Sequence, residues 1–156
     1  MRSWSSFTRP FASRMEALRT IRRMLAAILL LGMSGTLVEL LLLAHYDDRI
    51  QLIPLVALGA GLIAVGWHAA TASPLSGRVL RGVMLVFLAA GAAGVYYHYR
   101  ANVEFQRETD PSLAGRALIW RVLRAKVPPA LAPGVLVQLG LIGLVYAYRP
   151  SSDKEW

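Results

Sequence analysis

The 156-residue sequence contains no cysteine. That excludes a disulfide, a thiol nucleophile and a zinc–thiolate site, and leaves His and carboxylate side chains as the means of holding a metal. Acidic residues are scarce, nine Asp and Glu against 17 Lys and Arg, for a formal charge of +8. Charge is also nearly missing from four long stretches, where the 56% hydrophobic composition and the mean hydropathy of +0.47 are concentrated. Such a composition excludes a disordered chain and a basic nucleic-acid-binding globule, and it makes lipid headgroups the natural partners of the basic residues. Catalytic signatures are missing too. There is no HExxH, no paired ExxH and no repeated HxxxH, and Ser34 lacks a GxSxG context. The glycine-rich runs GAGLIAVG and GAAGVYY lie inside apolar stretches, where glycine serves helix packing, so nucleotide binding has no support.

What is present is apolar length. Residues 24–44 form a run broken by one charge, Glu39. At about 1.5 Å per residue the run crosses a hydrocarbon layer of roughly 30 Å. Residues 50–70, 80–99 and 131–148 repeat the pattern, with Pro54 and Pro133 near the starts of their spans, where a missing N–H costs least. Lipid offers the backbone no hydrogen-bond partner, and the runs lack the alternation of barrel strands, so each is expected to be a helix. The expected fold is all-α, an integral membrane four-helix bundle. It is preceded by a basic tail at 1–23, expected to be disordered over residues 1–11, and followed by a short tail at 149–156.

Ten basic residues fall on the side of the two termini and seven on the other, and Arg22 and Arg23 abut the first span. This bias places both termini in the cytoplasm and, with an uncleaved first span, the chain in a cell inner membrane. Five residues at 45–49 join the first two spans, and the segment TASPLSG joins the second to the third, with Pro74 and Ser76 suited to the turn and helix start. The third connection is far longer. Residues 100–107 can prolong the third helix, and Asp110 with Pro111 reads as the start of an amphipathic helix over 111–127. Leu113, Ala117, Trp120 and Leu123 or Val127 would share its apolar face on the lipid interface.

Small residues predict the inward faces, because helices associate in lipid through close packing. Gly32, Gly35, Thr36 and Glu39 share one stripe on the first helix; Ala57, Gly61, Ala64 and His68 share one on the second; Gly91, Gly94 and His98 share one on the third. The fourth offers either Gly140, Gly143 and Ala147 or Gly134 with Gln138. Glu39, about 9 Å from His45 along the helix, would be costly as an ion in lipid, so it reads either as a proton or cation relay or as a protonated group bonded to a neighbour such as Gln138. His45, Asp47 and Asp48 gather with His98 and Glu104 at the outer end, a chemically possible set for a metal that nonetheless lacks established ligand spacing.

The functional expectation is an accessory or structural subunit of a membrane assembly, or a homo-oligomer, with no cofactor. Two alternatives stand beside it. One is an oligomeric transporter or ion-translocating protein using Glu39 and Gln138, with His45 and His98 near its outer mouth. The other is a membrane metalloenzyme built on the outer His and carboxylate group.

Overall fold

Helix follows helix along the chain, and no strand occurs among the described residues: α1 (Ser5–Leu42), α2 (Leu52–Thr71), α3 (Pro74–Thr109), α4 (Gly115–Leu123) and α5 (Leu131–Tyr146). This computed structural model describes the backbone of residues 5–125 and 131–148, with side chains for 14–125, 131 and 133–148. Three helical segments, Arg14–Leu42, Leu52–Thr71 and Pro74–Thr109, are long and apolar enough to cross a membrane. At 16 residues, α5 reaches only about 24 Å.

The contacts close on themselves: α1 packs on α2 and α5, and α3 packs on the same two helices. Leu29, Met33, Leu58, Leu80, Met84 and Phe87 are fully buried at the centre. Glycines let the backbones approach. A methyl at Gly61 would meet the Phe87 ring at 2.7 Å, and one at Gly91 would meet Pro133 O at 2.8 Å. Outside this core the helices remain apolar, with Leu31 77%, Leu42 82% and Ile63 73% exposed. An outer surface of this kind is unusual for a water-soluble monomer.

Local chemistry sets the connections. At the end of α1, His45 N–H donates to Leu40 O (2.9 Å) and Ala44 N–H to Leu41 O (3.1 Å), a Schellman pair with Ala44 at φ 51° in the position that glycine usually takes. The α2–α3 connection is shorter still. Ala72 at φ 48° ends α2, Ser73 caps α3 by accepting from Ser76 N–H (3.1 Å), and Pro74 occupies the first turn. Ser73 therefore starts the helix, and Ser76 is already inside it and buried.

Several expectations are corrected. The segment expected as a disordered tail is helical from Ser5 onward, continuous with α1. Helix formers such as Met15, Glu16, Ala17 and Leu18 favour that extension. Asp110 closes α3 instead of opening α4: its carboxylate accepts from both the N–H (3.1 Å) and the hydroxyl (2.6 Å) of Ser112, which hold it below the usual aspartate range. That turn delays α4 to Gly115. The buried face of α4 is Leu118 with Val122, whereas Trp120 points outward beneath the Arg124 guanidinium. Residues 126–127 of the expected helix and the tail at 149–156 lie outside the described residues.

Candidate functional site

Two polar groupings occupy opposite ends of the packed helices. The first surrounds His68, which is 1% exposed. Its Nδ1 lies 2.8 Å from Ser76 Oγ, and the Ser76 hydroxyl donates to Ser73 O (2.9 Å). The serine oxygen is thus left to accept, which assigns the ring proton to Nδ1 and leaves Nε2 to accept from Arg22 Nη2 (3.4 Å). Arg22 also donates to Tyr148 O (3.4 Å) and lies 5.2 Å above the Tyr146 ring, which in turn meets His68 edge-on. One imidazole and one guanidinium therefore tie together α1, α2, the start of α3 and the end of α5. The cation sits at a helix C-terminus, where the backbone dipole favours it.

The second grouping is a cleft of about 740 Å³ among α1, α2, α3 and α5 at the other end. Its walls are apolar, from Leu40, Leu43, Ile53, Pro54, Ala90 and Leu136, with the Thr36 hydroxyl among them. Met33, one turn before Thr36 on α1, and Phe87 are fully buried and close around Gly61 in the core. The rim is polar: His45, Asp48, Gln51, His98, Arg100 and Glu104. The Schellman turn places His45 there, and the unbroken run of α3 past Tyr99 brings up Arg100 and Glu104. Gln51 Oε1 accepts from the backbone N–H groups of Asp47 (3.0 Å) and Asp48 (3.3 Å), fixing the α1–α2 turn at the mouth. Arg100 and Glu104 pair at 3.1 Å across one helical turn. An apolar cavity of this size with a few convergent polar groups has the make-up of a small-molecule site.

The sequence-predicted residues are divided by this geometry. His45, Asp48, His98 and Glu104 come together on the rim, while Asp47 stands outside the lining. Among the described residues no group of three His, Asp or Glu side chains is disposed to hold a metal. Glu39 does not face the interior with Gly32 and Thr36 as its stripe implied; it is exposed, and a methyl at Gly35 would meet open space. Gln138 is exposed as well, because α5 turns Gly140, Gly143 and Ala147 inward and leaves Gly134 and Gln138 on the outside. The expected Glu39–Gln138 pair is therefore not formed. The stripes on α2 and α3 do face inward: Ala57, Gly61, Ala64 and His68 are buried, and Gly91 and Gly94 abut α5 with His98 half-buried beyond them.

Sequence reasoning missed Gln51 and Tyr97 in the cleft and the His68–Ser76 bond. The last had a usable signal, a histidine and a serine eight residues apart across a Ser-Pro turn. The chain matches no protein-family model, and neither a curated protein nor a solved structure is detectably similar to it.

Proposed function

We propose that this is a multi-pass protein of a cell inner membrane, an accessory subunit whose four-helix bundle docks another membrane protein through the outward face of α1. The observation that carries the reading is Glu39, a carboxyl exposed on an apolar helix between Val38, 54% exposed, and Leu42, 82% exposed. A carboxyl on a lipid-facing surface is costly, and the usual remedy is a partner helix that offers it a hydrogen-bond donor or a cation. Gly35, one turn before Glu39, leaves room for such a helix to come close. The direction of insertion follows from Arg22, Arg23, Arg78 and Arg81, which put the His68 end and both termini in the cytoplasm. In this reading α5 is the fourth crossing, with the bilayer thinned locally around its short length, and α4 lies at the outer interface with Trp120, Arg116 and Arg124 among the headgroups.

The test is site-specific photo-crosslinking from position 38 or 42 in membranes, followed by purification in mild detergent. The expected product is one discrete adduct, with a heterologous membrane protein, that is lost in Glu39→Leu and in Gly35→Leu. A ladder of lipid adducts only, or an adduct unaffected by both substitutions, overturns the docking role. A homodimer adduct replaces the accessory subunit with a homo-oligomer.

A further inference from the structure

The cleft is walled with hydrocarbon inside and with hydrogen-bonding and charged groups at its mouth, a profile that matches an amphiphile inserted tail first. Charge selects the head. Arg100 is already paired with Glu104 at 3.1 Å, whereas Asp48, among the described residues, has no ion-pair partner. Gln51 holds the Asp48 backbone N–H, which orients the residue without neutralising its carboxylate. His45 and His98 are available as further hydrogen-bonding groups on the same rim. The rim therefore carries one carboxylate in excess, and a plain anionic head would meet repulsion there.

We propose that the cleft binds one membrane amphiphile whose head carries an ammonium group, with its acyl chain between Leu40, Ile53 and Leu136 and its ammonium on Asp48. The proposal rests on the membrane-spanning reading above and is independent of the docking role of Glu39.

The test is native mass spectrometry of the full chain in a non-ionic detergent, supplied with equal amounts of a single-chain phosphoethanolamine lipid and its phosphoglycerol analogue. The wild type is expected to retain one equivalent, with the ethanolamine head favoured about fivefold, the scale of one partly exposed ion pair. Asp48→Asn should abolish that preference while the chain is still bound. Ala93→Phe, which fills the cleft from an exposed position on its wall, should abolish retention altogether. Unchanged helicity by circular dichroism identifies both variants as folded. Equal retention of the two lipids by the wild type, or full retention by folded Ala93→Phe, overturns the proposal. A chain that stays monodisperse in buffer without detergent refutes the membrane-spanning reading instead, and that result is distinct from either binding outcome.

Discussion

At one end of the helices His68 is 1% exposed and both of its ring nitrogens are engaged, by Ser76 and by Arg22. At the other end His98 is half-buried on the rim of a cleft of about 740 Å³, beside an aspartate with no ion-pair partner among the described residues. Both histidines close an inward stripe of small residues, so position on the helix does not distinguish them. What distinguishes them is whether the neighbours complete their hydrogen bonds. A completed network fixes the relative placement of four elements and leaves nothing for a ligand to do. An incomplete one at the mouth of an apolar cavity leaves free polar groups for a ligand to meet.

This contrast is most sharply tested by removing each imidazole. His68→Ala leaves a void against Tyr146, withdraws the acceptor from Arg22 and removes one partner of Ser76, and is expected to cost about 3 kcal/mol. His98→Ala removes a rim group with solvent beside it and should cost less than about 0.5 kcal/mol. Reversible denaturant unfolding in detergent measures both. Similar losses for the two variants would mean that the cleft rim is as much a part of the fold as the His68 network.

A second substitution acts on the wall between the two ends. Gly91→Ala places a methyl 2.6 Å from Val137 Cγ2 and 2.8 Å from Pro133 O. The side chain can turn away, but the carbonyl is backbone, so α5 must move from α3, at a cost of about 1–3 kcal/mol. The movement should loosen the start of α5 around Pro133, at the cleft, while the Arg22 contact with Tyr148 at its far end persists. Amide hydrogen exchange is the measurement: faster exchange near residues 134–138, with the amides around 144–147 little changed, is the expected pattern. Uniformly faster exchange along α5 would show that the two ends are not independent.

The helices were legible in the sequence because an apolar run of about 20 residues has few alternatives to a helix. The inward faces of α2 and α3 were legible through glycine spacing, since close backbone approach is what those glycines are for. Glu39 misled for a physical reason. The stripe from Gly32 and Thr36 reaches Glu39 on the rule that ionisable groups point into protein, but the packing of α1 on α2 and α5 buries Met33 and Leu40 and turns Glu39 outward. The start of α4 was hidden because Asp110 competes for two roles, and its turn with Ser112 prevailed over capping the next helix. The rim of the cleft was legible in part, since His45, Asp48, His98 and Glu104 gather at one end by sequence, but the apolar cavity behind them was not. It depends on how far α3 continues past Tyr99 beside the α1–α2 turn, a relation between elements that no local pattern encodes.

The two connections offer the finest discrimination between the ends. Ala44 closes α1 at φ 51° and Ala72 closes α2 at φ 48°, both in the left-handed region, where a Cβ is strained and glycine is not. Ala44→Gly and Ala72→Gly should therefore each stabilise the protein by up to about 1 kcal/mol, measured as above. They should part company when combined with His68→Ala. The Ala72 N–H donates to the carbonyl of His68 itself (2.9 Å), and Ser76, which is bonded to Ser73, also meets the imidazole (2.8 Å). The benefit of Ala72→Gly should consequently shrink in that background, whereas Ala44→Gly, bonded within Leu40 and Leu41, should keep its full effect. Equal additivity at both turns would mean that the His68 network does not brace its connection, and the distinction between a tied end and an open one would reduce to the cavity alone.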